Sequence, residues 1–163
     1  MQSRRVALPT AVLVFSLLAL TGCDKPHPNA TVFSGSNSVT RAAICWSPDA
    51  NRTFTDSECL VQVADGKLSA QAVAELADYL EPIPVKPAQT IGISVDPEIA
   101  DAGWTITINS RPLNSQPIST TYYRFALSER DLRRGSLEMR VFAAADDQKS
   151  QRGYWLFELS PEE

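Results

Sequence analysis

Five stretches of the chain alternate apolar and polar positions with period two. They are Ile91, Ile93 and Val95; Trp104, Ile106 and Ile108; Tyr123, Phe125 and Leu127; Leu137, Met139 and Val141; and Trp155, Phe157 and Leu159. Successive side chains of a strand point to opposite faces, so each stretch predicts a strand with one buried face. Turn-rich spacers between them predict antiparallel pairing. Burying so many aromatic and branched side chains takes two sheets face to face. The expected fold is therefore mostly β, an immunoglobulin-like antiparallel β-sandwich.

The first part of the domain is less regular. Thr31-Val32-Phe33 reads as an edge strand or hairpin that dissolves at Ser34-Gly35-Ser36 and feeds a buried strand from Val39 to Trp46. Leu60-Val61-Gln62-Val63 reads as a further strand, and Asp65-Gly66 is a hairpin signal before Lys67-Leu68. From Ser69 to Leu80 the period changes: Val73, Leu76, Ala77 and Leu80 recur at helical spacing, Ser69 caps the start and Pro82 stops it. One short helix is expected there. Glu81 to Pro87, with three prolines, reads as an extended connector. Asp96-Pro97 suits an N-cap and first helical position, a single turn that lays Ile99 on the core before Gly103 releases the chain.

The chain start is patterned differently. Arg4 and Arg5 precede 15 uncharged residues, Val6 to Leu20, too few and too interrupted by Pro9, Thr10 and Ser16 to span a bilayer that takes roughly 20 apolar residues. Residues 1–22 read as a cleaved signal peptide. Its exit, Leu20-Thr21-Gly22-Cys23, has the form of a bacterial lipobox, in which the Cys23 thiol receives a diacylglyceryl group before cleavage in front of it. At roughly 0.8 kcal/mol per buried methylene, more than one acyl chain holds such a protein stably at a membrane. Ser3-Arg4-Arg5 also resembles a twin-arginine export signal, and Asp24 resembles the inner-membrane retention mark of bacteria with two membranes. Residues 23–30, with Pro26 and Pro28, read as a lipidated tether in which His27 is solvated, and residues 31–163 as the sandwich domain.

Removing residues 1–22 takes away two arginines and no acid, so the net charge falls from −4 for the whole chain to −6. That argues against nucleic acid as a partner and against a basic membrane-binding surface. The lipid must supply the attachment. With Cys23 committed to lipid, Cys45 and Cys59 remain as a disulfide pair in an oxidising compartment. Trp46 beside Cys45 agrees with sandwiches that pack a tryptophan on their inter-sheet disulfide, although so short a spacing staples neighbouring strands instead.

Chemistry is sparse. No serine has a base in recognisable reach: His27 lies in the tether, and Lys67, Lys86 and Lys149 stand in no motif. Zinc and copper sites need histidine and thiolate ligands that the domain lacks, so neither metal nor cofactor is implied. Asp146-Asp147 and Glu162-Glu163 are acids in a polar turn and at the tail. Arg130, Arg133 and Arg134 form the basic cluster, able to grip an anionic polymer or headgroup but balanced by Glu129 and Asp131. The sequons at Asn29 and Asn51 carry no weight in a bacterial protein.

Asp96-Pro97-Glu98-Ile99-Ala100-Asp101, closed by Gly103-Trp104, together with the lipobox and Asp24-Lys25-Pro26, resembles small actinobacterial cell-surface lipoproteins of a domain-of-unknown-function family. Ser69 to Pro87 stands as an insertion relative to that pattern. The resemblance implies a cell-surface lipoprotein and nothing about activity. The expectation is a lipoprotein on the extracytoplasmic face of the cell membrane, a non-enzymatic binding or envelope-assembly module. Its partners are the membrane, through lipid at Cys23, and an envelope protein or polymer. The alternative is an envelope hydrolase using a carboxylate pair.

Overall fold

The structure is a computed structural model and describes residues 25–60, 63–64, 67–68, 76, 81–133, 135–147 and 149–162. The lipobox with Cys23, the helix expected over Ser69 to Leu80, Arg134 and Glu163 lie outside the described residues.

Two sheets carry the domain. The first has the order β10-β7-β1-β2, where β1 is Asn29–Ser34, β2 Asn37–Ala42, β7 Thr90–Val95 and β10 Tyr122–Ala126. The second has the order β3-β12-β11-β8-β9, from β3 (Cys45–Trp46), β12 (Gln151–Pro161), β11 (Leu137–Ala144), β8 (Trp104–Ile108) and β9 (Arg111–Pro112). Ile91, Ile93 and Val95 face Trp104, Ile106, Met139, Val141, Trp155, Phe157 and Leu159 across one core. The five period-two stretches are β7, β8, β10, β11 and β12, and the expected sandwich of the immunoglobulin-like class stands. Each enclosed tryptophan spends its one donor: Trp104 Nε1 donates to the Thr120 carbonyl (2.8 Å) and Trp155 Nε1 to the Pro28 carbonyl (3.0 Å).

Several expectations for the first half are corrected. Thr31-Val32-Phe33 belongs to β1, which forms the expected hairpin with β2 across Gly35-Ser36 but is an inner strand rather than an edge, held by β2 on one side and β7 on the other. Val39 to Trp46 is not one buried strand: β2 is an edge, and the chain then crosses to the other sheet at Ala43 and Ile44 to form β3. Both crossing residues are fully buried, with Ala43 N–H donating to the Pro28 carbonyl and Ile44 N–H to that of Tyr154. The Glu81 to Pro87 connector contains a strand, β6 (Ile83–Val85), paired parallel to the end of β12. A proline is tolerated there because β6 lies at the sheet edge. The Asp65-Gly66 signal is met by β4 (Val63–Ala64) pairing with β5 (Lys67–Leu68).

Instead of a single short helix, two short helices are described. Pro97–Ala102 (α1) has Pro97 in its first turn and Ile99 fully buried, as expected, and ends at Gly103, whose φ of 90° suits glycine. Asp96 does not cap it by side chain; Asp96 Oδ2 accepts from the Asn29 N–H instead (2.8 Å). Glu129–Leu132 (α2) opens with a capping box between Ser128 and Asp131.

The Cys45–Cys59 disulfide forms, and the two residues make an antiparallel bridge, so it staples neighbours rather than joining the sheets. Trp46 does not pack on it. Adjacent strand residues face opposite ways: Cys45 belongs to a second cluster with Ile44, Leu76, Tyr154 and Leu156, whereas Trp46 belongs to the main core. β12 is thereby covered on both faces.

Candidate functional site

Along β7 and β10 the register runs Tyr122 against Ser94 and Ala126 against Thr90, so opposite ends of the sandwich carry the two helices. α1 follows the end of β7 and lies where β1 begins; α2 follows the end of β10. Arg130 and Arg133 are thus at the end remote from the N-terminal segment. Arg133 pairs with Glu129 Oε1 at 2.8 Å on the surface, a contact worth at most about 1 kcal/mol. A pocket of about 300 Å³ lies beside α2, but the residue that helix contributes to its lining is Asp131, not an arginine.

The larger cavity is at the other end, built upward from Gly153. A Cβ on Gly153 would come within 2.6 Å of the Trp46 ring and 2.8 Å of Trp155, so glycine lets the Trp46 ring lie against the β12 backbone. The two indoles then tilt together at 5.9 Å between ring centroids. On Trp46 rests Arg152, with Cζ 4.4 Å from the ring centroid. Arg152 is only 7% exposed. Its Nη2 donates to the Glu98 carbonyl of α1 (2.5 Å), whereas its Nε is buried without a partner. Among the described residues no carboxylate pairs with it.

Around this arginine opens a cleft of about 810 Å³ whose apolar walls come from Pro26, Trp46, Pro48 and Leu60. Its other charged groups are spoken for. Lys25 Nζ pairs with Glu98 Oε2, leaving Glu98 Oε1 buried without a partner. Glu58 accepts from the Thr55 N–H (2.7 Å) and Thr55 hydroxyl (2.9 Å) and pairs with Arg52. Burial alone would raise the Glu58 pKa, but those hydrogen bonds and the Arg52 charge outweigh it and hold the carboxyl below its usual value.

The N-terminal segment is itself a wall of the cleft. His27 is half-buried rather than solvated, and its Nδ1 lies 2.9 Å from the Ala43 carbonyl, which requires the proton on Nδ1. Pro28 is buried, and its carbonyl accepts from both Ala43 and Trp155. Asn29 and Ala30, placed in the tether by their composition, open β1. From Lys25 onward the chain is fastened down rather than suspended.

The acids singled out by sequence are dispersed. Asp147 accepts from the backbone of Ser150 and Lys149, which lowers its pKa, and Glu162 pairs with Lys86 at the far end. Among the described residues no group of three or more His, Cys, Asp or Glu is placed to hold a metal ion. Sequence reasoning missed Arg152, Glu98 and the role of Trp46. No signal short of the fold marks them, because they meet from β12, α1 and β3.

Fold and cleft together define a two-sheet β-sandwich with an amphipathic cavity at its N-terminal end. No protein-family model matches the chain, and no curated protein does. Among solved structures, fibronectin(III)-like modules of Clostridium thermocellum CbhA are similar at 14% identity and a TM-score of 0.38, over 50% of this chain and 88% of that one. The fold assignment rests on the strand pairing itself.

Proposed function

We propose that the protein is a membrane-anchored lipoprotein of the extracytoplasmic face, lipidated at Cys23, acting as a non-enzymatic binding or envelope-assembly module. The observation that carries this is the fastening of Lys25, His27 and Pro28 to the domain immediately after the lipobox. A lipid at Cys23 then holds one defined end of the sandwich against the bilayer. A hydrolase working in this cleft would draw on Glu58 and Glu98, the acids that line it. The Glu58 pKa is lowered, the opposite of what a proton donor needs, and the Glu98 carboxylate is engaged by Lys25.

Cys23→Ser is expected to leave the precursor uncleaved at this site and free of lipid, read by intact mass and by labelling with a palmitate analogue. A Cys23→Ser protein that still took up the label would overturn the reading. Crosslinking in intact cells, followed by mass spectrometry of what the anchored protein captures, identifies the envelope partner.

A further inference from the structure

We propose that the cleft around Arg152 receives the phosphate of an anionic phospholipid headgroup from the leaflet in which Cys23 is anchored. The inference rests on the lipoprotein reading for its location and on the cleft's own residues for its chemistry.

Location follows from chain length. Cys23 precedes Lys25 by two residues, and two extended residues span at most about 7 Å. Because Lys25, Pro26 and His27 line the cleft, an acylated Cys23 holds its mouth at the bilayer surface. Headgroups there face the cleft at an effective concentration far above that of any free solute, which adds to an intrinsic affinity that the unanchored domain also shows.

The chemistry follows from one uncompensated charge. Lys25, His27, Glu58, Glu98 and Arg152 are the titratable groups facing the cavity. Lys25 neutralises Glu98 and Arg52 neutralises Glu58, which leaves Arg152 as the buried cation that no described carboxylate balances. A desolvated guanidinium is costly until an anion reaches it, and its planar fork matches the oxygens of a phosphate. Trp46, Pro48 and Leu60, the last 55% exposed, give the glycerol and the first methylenes an apolar wall. The net charge of −6 forbids a general attraction to anionic bilayers. Capture at one pocketed cation needs none.

The test uses residues 25–163, which contain every core side chain described above and carry no lipid. This domain is sedimented with vesicles of phosphatidylcholine alone or mixed with phosphatidylglycerol, with and without glycerol phosphate as soluble competitor. Retention is expected on the phosphatidylglycerol vesicles, and glycerol phosphate is expected to compete. Arg152→Gln is expected to weaken retention about tenfold or more, the loss of one charge-assisted contact. Thermal melting shows whether that variant folds. Where it does not, Lys25→Gln replaces it: Lys25 is 75% exposed, and its removal leaves the Glu98 carboxylate as an unbalanced negative charge at the cleft that repels an anion, so retention falls several-fold. The proposal is overturned by equal retention on both vesicles, by none on either, by binding that glycerol phosphate leaves untouched, or by a folded Arg152→Gln domain that binds as before. None of these outcomes involves Cys23. A failure of lipidation shows separately, in the mass of the native protein.

Discussion

At the scale of single residues, close approach and burial make the sharpest demands. Gly153 has no room for a methyl group between Trp46 and Trp155. Gly153→Ala is expected to cost about 1–3 kcal/mol as an overpacked site and to displace the Trp46 ring that supports Arg152. Urea denaturation checks this, and a variant of undiminished stability would mean that the ring lies elsewhere. Tyr154 is stacked on Phe142 at 5.3 Å between ring centroids. Burial pushes its phenol up to about 12, with Glu138 adding to that and Arg140 opposing it. Because the folded pKa is above the unfolded value of about 10, the neutral phenol favours the folded state fully below pH 10. That contribution, of order 2 kcal/mol, is lost as the pH rises from about 10 to about 12. Tyr154→Phe should therefore remove part of the alkaline loss of stability while changing little near neutrality. Parallel stability curves for the two proteins across that window would refute it.

Secondary-structure elements show which parts of the pattern the sequence could carry. β7, β8 and β11 are legible because each buries one face, and a two-residue period survives in the apolar positions. β12 is legible only in part: Trp155, Phe157 and Leu159 show the period, but Tyr154 and Leu156 are buried on the opposite face under the segment stapled by the disulfide. β6 is hidden by its prolines, which read locally as a linker; only β12, some 70 residues onward, turns it into a strand. β9 is hidden because it is two residues long and exposed, created by the turn at Asn109 and Ser110, both at positive φ. The cleft was illegible for a related reason. The 25–28 segment contributes three residues and β3, α1 and β12 one each, and no single window contains the arrangement. The disulfide acts at this scale as well, since it ties β3 to the loop that ends at Cys59. Replacing both Cys45 and Cys59 by alanine is expected to cost about 3 kcal/mol, the loop-entropy value for a closure of this length. Chemical denaturation of the oxidised wild type against the double variant measures it. An unchanged midpoint would show that the bridge adds nothing to the second cluster.

For the whole molecule, strand register and the proposed anchor at Cys23 together define an orientation. The N-terminal segment and α1 lie at one end with the turn between β11 and β12, because Ala143 at the end of β11 pairs with Trp104 at the start of β8. α2 lies at the other end, and so does Lys86, whose ion pair with Glu162 sits beyond the pairing of β6 with β12. A strand of six residues separates the ends by about 20 Å. With the proposed anchor at Cys23, Arg130 and Arg133 lie at the end away from the bilayer, so that basic cluster is open to a soluble or polymeric partner but not to the headgroups beside the anchor. Three lysines report this geometry: Lys25 and Lys149 at the anchored end, and Lys86 at the free one. Acylation by a membrane-impermeant reagent should modify Lys86 equally fast in intact cells and after detergent release. Lys25 and Lys149 should react several-fold faster once released, because the bilayer then no longer covers that end. Protection of Lys86 instead would invert the orientation and detach the cleft from the membrane. Equal rates for all three lysines would mean that the domain swings freely on its lipid, contrary to the hold of Pro28 and His27 on the sandwich.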